Sequence, residues 1–223
     1  GTILVNSGSY DDANYMPHNR FVEGVSGFAL DFDGTWETAY IPHADVLKPH
    51  KQITISMWLK ADTLTKSGMI FRKSDGGSYG DSLNALTIDE SGSKYYLTLW
   101  LNIGGDRRKL QKQIISSEFA DNQWHLYCGT YDGNDMRIYK DGSELVSEHY
   151  TGDLGVCDNE NIYLASLGNY CPGDNPGVAH YDGLIDDLRI YDRALSQSEI
   201  VEMYGGGSGS SGQPFPADGQ PGI

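Results

Sequence analysis

The fold is limited most by a series of short alternating runs, each closed by a turn signal. In Gln52-Ile-Thr-Ile-Ser-Met-Trp-Leu-Lys60, Ile53, Ile55, Met57 and Leu59 fall on one side. Lys94–Ile103 alternates in the same way. Leu97, Leu99 and Leu101 share one face, and Tyr96, Thr98, Trp100 and Asn102 share the other. Phe28–Asp33, residues 161–165 and residues 184–191 continue the pattern. A period of two means half-buried strand, because successive side chains of an extended chain point to opposite faces. Asp-Gly pairs at 33–34, 75–76, 132–133, 141–142 and 182–183 mark the turns. That pair accepts the positive φ that tight hairpins need. Residues 124–131, 135–140 and 143–146, with Asp-Gly between them, read as a three-stranded meander. The first 25 residues read as irregular. About twelve short strands predict an all-β fold, two antiparallel sheets face to face.

Composition agrees and narrows the partners. The 223 residues include 28 Gly and 15 Tyr, which turns and strands demand before any function does. Thirty-one acidic against sixteen basic residues give a net charge of −15. That field repels phosphate backbones, so nucleic acid is a poor partner. It also supplies carboxylates for calcium, a hard cation. No apolar run is long enough to span a bilayer, so no membrane insertion is expected. The chain opens at Gly1 without Met, so the absence of a leader is not read as cytoplasmic.

One helix is specified at its start. Ser196 and Glu199 have capping-box spacing, and Leu195 and Ile200 have that of a hydrophobic staple. Gly205 is the expected stop, giving two turns at most. Residues 205–212 form an engineered-looking Gly/Ser linker with no packing of its own. Residues 213–223 are Pro-rich and extended, a candidate tethered ligand. The folding unit is therefore residues 1–204. Of three cysteines, Cys128 lies in a strand pattern and reads as a buried small hydrophobe. Cys157 and Cys171 are the candidate disulfide, closing a loop of about 15 residues for roughly 3 kcal/mol. A bridge from Cys128 to either stays open.

Two segments resemble the laminin G-like, concanavalin A-like jelly-roll family, which is related to the pentraxins. They are Trp124-His-Leu-Tyr-Cys-Gly-Thr-Tyr-Asp-Gly, leading to Met136-Arg-Ile-Tyr-Lys-Asp-Gly, and the closing run from Tyr181 to Ser196 with Glu199-Ile. Ala29-Leu-Asp-Phe-Asp-Gly34 and Ile55-Ser-Met-Trp-Leu-Lys60 match the family's opening strands. The resemblance implies a two-sheet jelly roll with one short C-terminal helix, of secreted or cell-surface type, used for recognition or adhesion. It also implies structural calcium, with Asp33, Asp186 and Asp187 as the carboxylates. Alternation would send Asp186 and Asp187 to opposite faces, and a buried carboxylate needs a cation or several donors. Arg189 or backbone N–H groups are the other way to satisfy them. Trp58 and Trp124 match family core positions and are given no ligand role.

The candidate ligand-binding row is Tyr96, Thr98, Trp100 and Asn102, which suits a sugar ring or an extended peptide. The alternative is a surface loop covering that face. The loop 169–177, with Tyr170 and Asp174, is a second candidate, as rim loops carry function. Arg107, Arg108, Lys109 and Lys112 are the basic cluster of an acidic chain, read first as a solvated edge strand and, in the alternative, as an attraction for an acidic glycan or carboxylate. Asp31-Phe-Asp-Gly-Thr-Trp-Glu37 resembles the carboxylate motif of glycosidases with this fold, but Asp31 stands for the first Glu and Gly34 interrupts the strand. No HExxH occurs. The expected function is a non-catalytic recognition module binding peptide or glycan. A carbohydrate-binding module from a polysaccharide-degrading enzyme is the alternative, and a glycoside hydrolase the remote one.

Overall fold

The computed structural model describes residues 2–4, 8–9, 20–35, 37–64, 67–74, 83–155, 161–165 and 180–207. The strands are β1 (Thr2–Leu4), β2 (Gly8–Ser9), β3 (Arg20–Glu23), β4 (Phe28–Asp33), β5 (Ala39–Ile41), β6 (Ile53–Ala61), β7 (Gly68–Ser74), β8 (Leu83–Ser91), β9 (Lys94–Ile103), β10 (Asp106–Ile114), β11 (His125–Tyr131), β12 (Asp135–Lys140), β13 (Ser143–His149), β14 (Ile162–Leu164) and β15 (Asp182–Tyr191). Two helices join them, α1 (Ser116–Phe119) and α2 (Gln197–Gly207). One sheet runs β13-β12-β11-β6-β15-β4-β3, with β1 also paired to β15. The other runs β10-β9-β8-β7-β14-β5-β2. This is the jelly-roll sandwich that the strand pattern implies, and every pairing between these strands is antiparallel.

The core lies between the sheets. Ile53, Ile55, Met57 and Leu59 of β6 and Leu97, Leu99 and Leu101 of β9 are all buried in it, as alternation requires. Each such side chain contributes about 1.5–3 kcal/mol by leaving water. The sheets approach so closely at Gly129 of β11 that an added Cβ would sit 2.8 Å from a Leu99 methyl carbon.

The eight-stranded sheet is covered on its outer side as well. Trp58, Leu126, Cys128, Tyr139 and Tyr191 form a second cluster with Leu195, Ile200 and Met203 of the α2 region. Tyr204 stacks on Trp58 with ring centroids 5.8 Å apart. Trp58 is thus core and Trp124 packs beside it. Cys128 is a buried free thiol whose pKa burial pushes up, which excludes the bridge from it. Burial from Ile53 through Leu59 is continuous because both faces of β6 are covered.

The helix start matches expectation. The Ser196 N–H donates to Glu199 Oε2 at 2.8 Å, and the Glu199 N–H points back at Ser196 Oγ at 3.4 Å. Its end does not. α2 runs to Gly207, three turns rather than two, so Gly205 does not stop it. The expected unit 1–204 and linker 205–212 therefore meet inside the helix.

Two further expectations are corrected. The N-terminal 25 residues contribute β1, β2 and β3. Asp182-Gly183 is not a turn but the start of β15, paired with Asp33-Phe32 on one side. Gly183 has φ 137°, and an added Cβ would lie 2.4 Å from the Lys60 carbonyl oxygen. Here glycine serves close strand approach rather than chain reversal. At Asp141-Gly142 both φ values are positive, 52° and 81°, as a tight hairpin requires.

Candidate functional site

The outward face of the seven-stranded sheet is built by register. Opposite Asn102, Trp100, Thr98 and Tyr96 of β9, the edge strand β10 sets Arg107, Lys109, Gln111 and Gln113. On the other flank β8 sets Ala85, Thr87 and Asp89 against Trp100, Thr98 and Tyr96. Directly paired side chains lie about 5 Å apart, so the three strands make one continuous surface.

The row singled out by alternation is only half accessible. Tyr96 and Trp100 are half-buried, but Thr98 is fully buried and Asn102 is 4% exposed. Thr98 is covered because Gln111 crosses to it, donating Nε2 to Thr98 Oγ1 at 3.1 Å. Asn102 is backed by Gly155, where an added Cβ would come within 2.6 Å of Asn102 Cγ, and the Gly155 N–H bonds the Asn102 carbonyl at 2.9 Å. A surface segment thus covers that end of the face. Thr98 and Asn102 support the surface from beneath and do not present it.

Trp100 is held from several sides. Its Nε1–H donates to Thr87 Oγ1 at 3.3 Å, and its ring packs against Met69 and Ala85. Thr87 in turn donates to Asp89 Oδ1 at 2.7 Å. The Arg107 guanidinium carbon lies over the indole, 4.1 Å from the centroid, and Lys109 Nζ stands 5.6 Å away. The indole is therefore capped by cations rather than bare. Lys109, which is exposed, with Gln111, Asp89 and Tyr96 completes the accessible lining. Sequence reading placed the basic residues on an edge strand, and β10 does end its sheet. It missed that Arg107 and Lys109 face Trp100, because register is not written in any one strand.

The carboxylates assigned to calcium are separated. Asp33 pairs with Asp182 at the start of β15, four residues from Asp186. Its Oδ1 accepts from the Thr35 N–H at 2.9 Å and from the Thr35 hydroxyl. Asp186 is buried and accepts from the Ser26 N–H at 2.9 Å and the Asp187 N–H at 2.7 Å. Asp187 pairs with Arg189 at 2.8 Å. The ladder is interrupted between Asp186 and Arg189, and Asp187 has φ 47°, so simple alternation does not hold there. Burial raises the pKa of both aspartates, and Arg189 pulls that of Asp187 back. Asp33 Oδ1 and both Asp186 oxygens thus take hydrogen-bond donors, Asp187 takes a guanidinium, and among the described residues no group of three metal-ligating side chains occurs.

Tyr170, Asp174, Cys157 and Cys171, and residues 213–223, lie outside the described residues. In the glycosidase-like segment, β4 ends at Asp33 and Gly34 turns with φ 71°. Glu37 Oε2 accepts the Asp33 N–H at 2.7 Å and so braces the turn after β4.

A two-sheet jelly roll of this topology defines a broad class, the lectin-like sandwiches. The chain belongs to the concanavalin A-like lectin/glucanases superfamily, matched over residues 33–201. It is 25% identical over 155 residues to the adhesion G-protein coupled receptor V1 of Danio rerio, and 25% identical over 183 residues to pappalysin-1 of Mus musculus. Those alignments take in 68% and 78% of this chain but only 2% and 11% of the relatives' length. Among solved structures, it is similar to domain 4 of AbnA, an extracellular arabinanase from Geobacillus stearothermophilus, in complex with arabinotriose. The TM-score is 0.59 at 21% identity, covering 82% of this chain and 80% of the other. Mouse laminin α1 domains LG4-5 give a TM-score of 0.54 at 18% identity, covering 81% and 45%.

Proposed function

We propose that the chain is a non-catalytic recognition module of a secreted or cell-surface protein, and that it binds a glycan on the outward face of its seven-stranded sheet. The observation that carries this reading is the surface around Trp100. Trp100 and Tyr96 are partly accessible there, and Asp89, Gln111 and Lys109 are fixed beside them by sheet register and hydrogen bonds. Aromatic surface flanked by a few oriented polar groups suits the alternately apolar and hydroxylated faces of a sugar. The arabinotriose-bound neighbour supports the reading through its fold. Leaving catalysis out of it has local support: β4 ends at Asp33, Gly34 turns between Asp31 and Glu37, and Glu37 Oε2 takes the Asp33 N–H.

A glycan array probed with the intact chain tests the proposal. The expected outcome is retention of at least one oligosaccharide, with binding reduced at least about tenfold by Trp100→Ala in a variant whose far-ultraviolet spectrum still shows the sandwich. An empty array overturns it. An extended peptide is the second reading, because β10 ends its sheet and offers a strand edge for pairing. Titrating a free peptide of residues 213–223 into a chain ending at Gly207 tests that. Heat from the peptide together with an empty array would transfer the function to it.

A further inference from the structure

We infer that residues 213–223 of this chain dock on the outer edge of β3, adding a strand to the eight-stranded sheet and covering Phe21 and Phe28. This goes beyond the glycan reading and does not depend on it.

Phe21 is 59% and Phe28 75% exposed, the two most exposed large apolar side chains among the described residues. Phe21 pairs with Leu30, and Phe28 stands two residues before Leu30, so all three share one face of the sheet. Leu30 belongs to the inter-sheet core, so the two rings carry that apolar surface on to where its cover ends. Among the described strands β3 ends the sheet, and the outer N–H and C=O groups of an end strand are a template for one more.

The tail has the chemistry for that edge. In Gln213-Pro-Phe-Pro-Ala217 the prolines are two apart. Alternate residues of a strand point their backbone N–H and C=O groups to the same side. With Pro214 and Pro216 turned to solvent, Gln213, Phe215 and Ala217 therefore keep theirs for β3. The prolines then blunt the new edge, the place in a sheet where proline is tolerated. Phe215 brings a third ring to Phe21 and Phe28.

The path is short. The Ser26 N–H donates to Asp186, Asp186 pairs in register with Trp58, and Tyr204 of α2 stacks on Trp58. The β3–β4 turn and the end of α2 thus meet over one patch of the outer sheet face, and Val25 packs into the same cluster. β3 is the third strand from β6, about 14 Å across the sheet. Residues 208–212 reach about 18 Å when stretched. So short a tether holds its peptide at millimolar local concentration, enough to fill an edge of modest affinity. A second copy fits less well. Four residues of β3 and two rings bury far less than the roughly 800 Å² per partner of a stable interface, and each copy carries a charge of −15.

Hydrogen exchange of the intact chain, read by mass spectrometry, tests the docking against Phe215→Asp and Phe28→Ser. Phe215→Asp leaves every described core residue in place, and Phe28 is an exposed ring, so both variants keep the sandwich. Fragments covering residues 20–28 and 213–217 are expected to exchange at least about tenfold more slowly in the intact chain than in either variant. β6 and β11 should exchange equally in all three. A tail that exchanges as fast as a free peptide of residues 213–223 would overturn the proposal. Protection gained in β10 in place of β3 would overturn the choice of edge. Protection that grows with protein concentration would overturn docking within one chain and give the edge to a second copy. An empty glycan array would leave the docking standing, and an unprotected tail would leave the glycan reading standing.

Discussion

His125 shows how a motif residue earns its place. Its Nδ1 lies 2.7 Å from Asp141 and its Nε2 3.1 Å from Asp121, so the imidazole bridges two carboxylates. Hydrogen bonding to Asp141, above all, raises its pKa above the ordinary 6.5 against the opposing effect of burial. The folded state therefore keeps the proton to higher pH than the unfolded chain does. The resulting stability is complete below about pH 6.5 and is lost as pH rises through the folded value. The melting temperature should fall between pH 6 and pH 8.5, and His125→Gln should flatten that part of the profile. A wild-type curve that rises over this range would contradict the assignment. Asp141 also accepts the Leu126 N–H at 2.9 Å, so one carboxylate orients both the histidine and the start of β11.

Among the elements, those that alternate between clear turn signals were the legible ones, even where, as in β6 and β11, both faces are covered. β4, β9, β11 and β12 appear where alternation and Asp-Gly turns set them. β7 and β8 did not announce themselves, since Ile70, Phe71 and Arg72 of β7 and Ala85, Leu86, Thr87 and Ile88 of β8 are buried on both sides and leave no period of two. A shift in register between Met69 and Phe71 blurs β7 further. In the candidate site, Trp100 and Tyr96 could be read from one strand. Their lining from β8 and β10, and the burial of Thr98 and Asn102, are products of pairing and could not. α2 is legible in its cap and hidden in its end, because local capping chemistry is written in sequence while helix length also depends on what it packs against. Ile200 is fully buried beneath it against the outer face of the eight-stranded sheet. Ile200→Ala should cost about 2–5 kcal/mol in chemical denaturation, and Ser196→Ala about 1 kcal/mol. A negligible loss at Ile200 would mean that the helix is an appendage rather than a third layer.

For the whole molecule, stability has its visible sources in the inter-sheet core and in the helix-covered cluster behind it. Asp33 Oδ1 and both oxygens of Asp186 receive N–H or O–H donors, and Asp187 pairs with an arginine. Chelation with EDTA should accordingly leave the melting temperature unchanged. A drop of several degrees that calcium restores would reveal an ion site elsewhere in the chain. The asymmetry of the sandwich has a further meaning for display. Since α2 shields the eight-stranded sheet, the backbone reaches Gly207 on the flank opposite Trp100, and two sheets about 10 Å apart lie between. The five residues 208–212 span at most about 18 Å when fully stretched. The described chain therefore leaves the sandwich behind the eight-stranded sheet, on the side away from the proposed binding face.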